Sequence, residues 1–321
     1  MVGMTAPAPT RWLAPLGRDV SRIGLGSVPF RFNRRDAAFA VLDAWAELGG
    51  DLVDTAAIYG GGESEQVLGE WLASRGARDR VVILTKGAHP DADWRSRMSP
   101  EAIAADIEAS LDRLGTDHVD IYMLHRDDPD VPVGEIVDAL HEHVAAGRAR
   151  SVGGSNWSPA RLEAAATYAA DAGRTPLTSS SVYFGLAEPA QPYTPGCLDA
   201  WDEPVRRWYA ANVERWPLFA WSAQSGGFFA DDFDPARAAR EAVDAWDTAP
   251  NRARRDRAQA LAARRGLTTP QVALAWVLSQ PFRPIALAAM RDPVRLRAAW
   301  DVLSVELDEA ERRWLETGDE V

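Results

Sequence analysis

The chain has 321 residues, of which 46% are hydrophobic and 26% charged, and a formal net charge of −12. This acidic balance argues against nucleic acid or an anionic membrane surface as the main partner. No stretch approaches the roughly 20 apolar residues of a membrane span. A single cysteine, Cys197, excludes an intrachain disulfide and a cysteine-cluster metal site. Residues Met1–Trp12 lack the apolar core of a signal peptide, so a cytoplasmic protein is expected.

Short apolar runs alternate with helical patterns from residue 20 to residue 300. The predicted strands are Arg22–Leu25, Asp51–Thr55, Val81–Thr85, Val119–Leu124, Ala149–Gly153, Leu177–Tyr183, Leu218–Trp221 and Ile285–Ala288. The predicted helices are Asp36–Leu48, Ser64–Ser74, Pro100–Leu114, Val133–Ala146, Pro159–Asp171, Pro204–Ala211, Pro270–Leu278 and Pro293–Trp300. Such an alternation in one chain of this length favours an α/β fold, a closed (β/α)₈ TIM barrel that forms one domain over residues 1–321.

Two long segments interrupt the alternation, Gly185–Asp202 and Ala223–Pro250. They follow the sixth and seventh predicted strands, and in a barrel they emerge on the face that carries active sites. We therefore expect them to form the walls of the substrate-binding pocket. Val305–Thr317 predicts an extra C-terminal helix outside the barrel.

Lys86 is the only lysine in the chain, against 34 arginines, and it ends the third predicted strand. Lysine is a compact charge whose pKa moves when it is buried or paired, whereas arginine stays charged and presents a planar fork. A lysine kept in so arginine-rich a chain indicates a role that a guanidinium cannot fill.

Three more polar residues lie at or near the ends of neighbouring predicted strands. Asp54 ends the second strand, Tyr59 follows in its loop, and His125 ends the fourth. Each has an ordinary alternative as a turn cap, a loop aromatic or a loop histidine. Together with Lys86 they converge on one barrel mouth. There a cation lowers the pKa of a tyrosine and makes it a better proton donor.

Further motifs accompany these four residues: Asp54-Thr55-Ala56-Ala57-Ile58-Tyr59-Gly60, Ser64-Glu65, Leu68-Gly69, Ser110-Leu111-Asp112-Arg113-Leu114, Asp120-Ile121-Tyr122 and Gly153-Gly154-Ser155-Asn156. With them, residues 11–301 closely resemble the aldo-keto reductase family. The resemblance implies a barrel that binds NADPH and passes hydride to a carbonyl while Tyr59 supplies the proton. It also implies that Lys86 and Asp54 tune Tyr59, and that His125 orients the carbonyl or assists the proton transfer.

The resemblance also implies the residues that contact the cofactor. Ser155 and Asn156 match the pair that holds the nicotinamide carboxamide, and Ser180 stands where the family often has glutamine. The remaining matches are Trp221, stacked on the nicotinamide ring, Ser222 and Gly227 in the pyrophosphate segment, and Arg291 and Arg295 at a helix start. Arginine forks at a helix N-terminus suit the 2′-phosphate of NADPH, although these two also fit the general arginine excess.

The substrate is expected to be a small carbonyl compound, such as a keto-sugar or another secondary metabolite. The aromatic residues considered for its pocket are His89, Trp94, Trp201, Trp208, Phe228 and Phe229. Such a pocket fits sugars, quinones and aryl aldehydes equally. The run Arg126-Asp127-Asp128 predicts a solvated rim.

Two other functions stay open: a Schiff-base aldolase using Lys86, and a non-catalytic NADPH-sensing subunit. No metal site is expected, because His141 and His143 are two residues apart on a predicted helix and diverge. The oligomeric state is left open.

Overall fold

The computed structural model describes residues 10–319, so most of Met1–Trp12 and the last two residues lie outside the described part. The chain begins with an antiparallel hairpin of β1 (Thr10–Leu13) and β2 (Arg18–Ser21). Leu13 and Val20 are buried in one apolar cluster with residues from five of the later strands, Leu52 and Ile121 among them. The hairpin, which the sequence patterns did not predict, therefore packs against the interior of the main sheet.

That sheet consists of parallel strands. They are β3 (Ile23–Gly26), β4 (Leu52–Asp54), β5 (Val82–Gly87), β6 (Val119–Leu124), β7 (Ala149–Ser155), β8 (Ser180–Ser181), β9 (Phe219–Ala220) and β10 (Ile285–Ala288). Their spatial order is β8-β7-β6-β5-β4-β3-β10-β9, and a parallel bridge from Ser180 to Leu218 joins the two outer strands. The sheet is thus closed, and the predicted (β/α)₈ barrel is confirmed.

Helices surround the barrel. They are α1 (Arg35–Glu47), α2 (Glu63–Arg75), α3 (Pro100–Leu114), α4 (Val133–Ala145), α5 (Pro159–Ala172), α6 (Glu203–Ala211), α7 (Arg240–Trp246), α8 (Ala249–Arg265), α9 (Thr269–Leu278), α10 (Pro293–Asp301) and α11 (Glu309–Thr317). Ser99, Ser158 and Asp292 accept backbone N–H bonds at 3.2, 3.2 and 2.9 Å just before a first-turn proline. These caps fix the predicted helix starts. No helix within residues 10–319 is long and apolar enough to cross a membrane.

Three further elements differ from the predicted pattern. The predicted strand Leu177–Tyr183 pairs only as Ser180–Ser181, because residues further on bond to the loops, as Tyr183 N–H does with Leu198 at 2.9 Å. Two helices were not predicted: α7, which lies inside the segment Ala223–Pro250, and α8, which begins at the end of that segment. The sequence of α8 is arginine-rich, and a narrow stripe including Ala258 and Leu261 is buried. A stripe so short of large apolar residues gives little helical periodicity to detect.

Candidate active site

Lys86 and Asp54 form a buried ion pair between adjacent strands. Asp54 ends β4, Lys86 is the penultimate residue of β5, and the two side chains are 5% and 2% exposed. Lys86 Nζ donates to the Asp54 carboxylate and, at 3.0 Å, to the Thr55 carbonyl. Burial lowers the pKa of Lys86, but Asp54 and Tyr59 outweigh it, so the net pKa is raised. The ammonium therefore stays charged inside the barrel mouth.

Tyr59 lies in a short 3₁₀ turn, Tyr59–Gly62, directly beside this ammonium. Gly60 and Gly61 have φ of 62° and 64°, a left-handed conformation that glycine adopts without strain. Lys86 Nζ lies 5.3 Å from the centroid of the Tyr59 ring. Burial raises the pKa of the Tyr59 hydroxyl and the Lys86 ammonium only partly offsets this, so the hydroxyl keeps its proton at neutral pH.

His125 follows β6 and completes the group of four. Its ring centroid lies 5.9 Å from that of Tyr59 with the ring planes nearly perpendicular, and its backbone N–H donates to the Gly87 carbonyl at 2.8 Å. Burial, followed by the charges of Lys86 and Arg126, holds the pKa of His125 well below its usual range. The imidazole is thus neutral and has one N–H to donate. Its Nδ1 is buried without a partner among residues 10–319.

Arg126 is buried, which corrects the prediction that it belongs to a solvated rim. It is 7% exposed and donates to the His125 carbonyl at 2.8 Å and to the Thr194 hydroxyl at 2.9 Å. Asp127 is ion-paired with Arg161 at 3.1 Å. Arg126 therefore connects the long loop that follows β8 to the backbone of the site.

Ser155 and Asn156 stand at the end of β7, next to His125. Asn156 has φ of 60° and donates to the His125 carbonyl and the Ser155 hydroxyl, each at 3.1 Å. Its side-chain oxygen accepts from Trp221 Nε1 at 3.2 Å and from the Leu198 N–H at 3.1 Å. The structure therefore brings Ser155, Asn156 and Trp221 together beside the four candidate catalytic residues.

Ser180 faces away from that group. Its hydroxyl is hydrogen-bonded to Tyr209 of α6 at 2.8 Å, on the outer side of the sheet. Side chains alternate along a strand, so the next residue, Ser181, faces inward and is the register partner of Ser155. The Ser181 hydroxyl is buried without a partner among the described residues. Ser181, and not the predicted Ser180, therefore has its hydroxyl directed toward the barrel mouth.

The segment after β9 forms a left-handed turn. Ser222, Ser225, Gly226 and Gly227 have φ of 50°, 50°, 58° and 91°. The Ser225 hydroxyl is fixed by Tyr183 at 2.8 Å. Successive turn N–H groups of this kind make anion-binding concavities, which fits the pyrophosphate role given to Ser222 and Gly227.

The two arginines at the start of α10 are both exposed. Arg295 is paired with Asp232 at 3.2 Å and Asp292 at 3.6 Å, and Asp292 also caps the helix. A phosphate there competes with these two carboxylates for Arg295. The helix N-terminus and the Arg291 side chain still favour an anion.

The aromatic residues considered for the substrate pocket separate into two groups. Trp201 stacks on Trp276 of α9 and Trp208 packs against Trp216, while Phe228 and Phe229 are buried in the core. By contrast, His89 lies 5.1 Å from the His125 ring, and Trp94, 46% exposed, lies 5.8 Å from His89. Of these six residues, only His89 and Trp94 lie near the candidate catalytic residues.

A sequence model described as the aldo/keto reductase family matches residues 22–317. The chain belongs to this family. The reductase is 28% identical to aldo-keto reductase YhdN of Bacillus subtilis over 95% of this chain and 92% of that protein. It is 30% identical to versiconal hemiacetal acetate reductase of Aspergillus parasiticus over 82% and 81%. The crystal structure of a Klebsiella pneumoniae aldo-keto reductase in complex with NADPH has a TM-score of 0.71 and 26% identity, over 93% of this chain and 91% of that one.

These comparisons confirm the resemblance read from the sequence. The protein is an NADP(H)-dependent oxidoreductase that acts on carbonyl groups. The turn at 222–227, the inward Ser181 hydroxyl and the arginines at the start of α10 fit such a cofactor.

Proposed function

We propose that the barrel mouth reduces an aldehyde or ketone to the alcohol, with Tyr59 as the proton donor. The observation that carries this proposal is the buried Lys86 ammonium, paired with Asp54 and 5.3 Å from the Tyr59 ring. Bound NADPH supplies the hydride that adds to the carbonyl carbon. The carbonyl oxygen then gains negative charge and takes the proton from the Tyr59 hydroxyl.

The surrounding charges suit that proton transfer. The burial that raises the pKa of Tyr59 keeps the hydroxyl protonated until the oxygen of the substrate develops charge. The Lys86 ammonium then stabilises the tyrosinate left behind, since an opposite charge in a desolvated site favours the ionised form. Neutral His125 donates one N–H to the same oxygen and orients it. Asp54 holds the ammonium in place and partly neutralises it.

The lysine that carries this proposal also argues against the Schiff-base alternative. Imine formation needs an unprotonated amine, and Lys86 has a raised pKa and an aspartate partner. An aldolase lysine instead has a lowered pKa. A non-catalytic NADPH-sensing role does not explain why the proton donor Tyr59 and the buried Lys86–Asp54 pair are both present.

For the cofactor, we propose contacts from Ser155, Asn156, Trp221, Ser222, Gly227, Arg291 and Arg295. In place of Ser180 we propose Ser181, whose hydroxyl faces the mouth. Ser181→Ala is expected to weaken NADPH binding in a fluorescence titration. Ser180→Ala, which removes only the bond to Tyr209, is expected to leave NADPH binding unchanged.

The substrate is proposed to lie between His125, His89 and Trp94, which favours a carbonyl compound with a flat or ring-shaped neighbouring group. One relative is named for reduction of versiconal hemiacetal acetate. A cytoplasmic location and one domain over residues 1–321 stay predictions.

The test is oxidation of NADPH with a panel of aldehydes and ketones, alongside direct titration of NADPH and NADH. Tyr59→Phe is expected to lose turnover by at least about 100-fold, since a positioned acid contributes about that much or more, while NADPH binding persists. Unchanged turnover in Tyr59→Phe would remove the proposed donor. A borohydride-trapped adduct on Lys86 would restore the aldolase alternative.

A further inference from the structure

The loop after β5 is held in a strained conformation beside the catalytic histidine. Ala88 and Trp94 both have positive φ, 54° and 59°, although neither is glycine. The Ala88 N–H donates to Asp106 Oδ2 at 2.8 Å, and the Asp91 carboxylate accepts two loop N–H groups at 2.9 Å each. Backbone strain of this kind persists only where the surrounding structure fixes it, and it concentrates at functional sites.

The strained loop presents His89 to the barrel mouth. The His89 ring meets the His125 ring edge-on, with centroids 5.1 Å apart and planes at 83°. The ring of Trp94 also lies near His89, with centroids 5.8 Å apart. His89 is half-buried, whereas His125 is fully buried. A second imidazole thus stands next to the group that orients the substrate carbonyl.

The hydrogen bonding of His89 settles its tautomer. Its Nδ1 lies 2.9 Å from the Pro90 carbonyl oxygen, which can only accept, so Nδ1 carries a proton. Burial lowers the pKa of His89, which keeps the ring neutral at neutral pH. The other nitrogen, Nε2, is therefore a bare acceptor. Within residues 10–319, Nδ1 is the only ring nitrogen of His89 that has a hydrogen-bond partner.

We propose that His89 is a specificity-determining residue that selects carbonyl compounds bearing a hydroxyl on the carbon next to the carbonyl. This inference rests on the proposed function, in which Tyr59 and His125 hold the carbonyl oxygen. An acceptor beside His125 is placed for a donor three bonds from that oxygen, which is the separation of a hydroxyl on the neighbouring carbon. A methyl or ethyl group in the same position leaves Nε2 desolvated without a partner, and sites built for a hydroxyl reject such analogues.

The matched substrates are three aryl ketones that differ at one group: 2-hydroxyacetophenone with its hydroxyl on the side-chain carbon, 2-methoxyacetophenone and propiophenone. The first can donate a hydrogen bond, the second can only accept and the third can do neither. Native protein is expected to show a kcat/KM for the hydroxyketone at least about fivefold above that for the other two, as one net hydrogen bond gives.

Two variants separate hydrogen bonding from packing. His89→Phe keeps an aromatic ring against His125, and it is expected to abolish the preference by bringing the kcat/KM of the hydroxyketone down to that of the other two ketones. His89→Gln keeps an acceptor and is expected to retain part of the preference. Equal losses on all three ketones in His89→Phe, or an unchanged preference, would overturn the role of His89.

A binding measurement keeps this proposal separate from the proposed function. If native protein oxidises NADPH with none of the ketones, the proposed reduction fails for this class. The dissociation constants of the three ketones are then measured by tryptophan fluorescence in native protein and in His89→Phe, and they give the ligand preference. The same fivefold difference, lost in His89→Phe, supports the selection by His89, and equal constants in both proteins overturn it.

Discussion

Two ion pairs at the barrel mouth show how differently the same attraction acts in different surroundings. In the Lys86–Asp54 pair the side chains are 2% and 5% exposed, whereas in the Arg295–Asp232 pair they are 57% and 73% exposed. Water screens the exposed pair, which contributes about 0–1 kcal/mol. The buried pair has lost its hydration, so each charge depends on the other. The exposed Arg295–Asp232 pair can therefore exchange its partner for a ligand, whereas the buried Lys86–Asp54 pair is a fixed part of the candidate active site.

Removal of the buried cation is expected to have the largest effect. Lys86→Met leaves Asp54 buried without a partner and should lower the free energy of unfolding by about 3–5 kcal/mol. Turnover should fall by about 100-fold or more because Tyr59 loses its neighbouring charge. Urea unfolding and NADPH oxidation measure the two effects. The double variant Lys86→Met with Asp54→Leu should regain stability but no turnover, and recovery of both would refute the role of the charge.

A change of the cation without loss of charge is the next test. Lys86→Arg keeps the positive charge but places a larger planar fork against Asp54 and Tyr59. We expect a loss of kcat of about 100-fold, with less destabilisation than in Lys86→Met, because Asp54 keeps a partner. Stopped-flow measurement of kcat and a urea curve separate the two quantities. Near-normal turnover in Lys86→Arg would mean that charge alone suffices at this position.

Loss of the exposed Arg295–Asp232 pair is expected to change cofactor affinity more than the free energy of unfolding. Arg295→Leu is expected to weaken NADPH binding about tenfold, equivalent to 1.4 kcal/mol, and to leave NADH binding unchanged. The free energy of unfolding should change by less than about 1 kcal/mol. Fluorescence titrations of both cofactors provide the measurement. Equal weakening of NADPH and NADH would show that Arg295 does not contact the 2′-phosphate.

The smallest effect concerns His125 and pH. Its pKa is depressed in the folded protein, chiefly by burial, below the unfolded value of 6.5. Above pH 6.5 it is neutral in both states and contributes no pH dependence. As the pH falls below 6.5, the unfolded chain gains a proton that the folded protein does not, so stability decreases. His125→Gln should lessen that decrease in urea unfolding curves at pH 5–7. An unaltered slope in His125→Gln would assign the effect to other groups.

The sequence was sufficient for the parts of the site that lie on regular strands. Asp54, Lys86 and His125 end strands with clear apolar patterns, so their convergence follows from the topology of a barrel. Ser180 illustrates the limit, because three successive serines give no sign of which one faces inward. The orientation appears only in the Ser180–Tyr209 bond.

His89 shows a second kind of limit. Its position over His125 depends on a positive φ at Ala88, a residue whose sequence identity gives no hint of that conformation. The burial of Arg126 was missed for a related reason. Its partners, Thr194 and the Pro195 carbonyl, come from a distant loop whose path has no periodic pattern.

Because the chain has a single lysine, proteolysis at that residue can report the unfolding of the barrel. A lysine-specific protease has one site in the chain, the bond between Lys86 and Gly87, and this bond lies inside β5 with Lys86 only 2% exposed. Cleavage into fragments 1–86 and 87–321 therefore requires the catalytic strand to open. The rate of appearance of two bands on a gel then measures how often the active site comes apart, and any ligand that holds the mouth closed slows that rate.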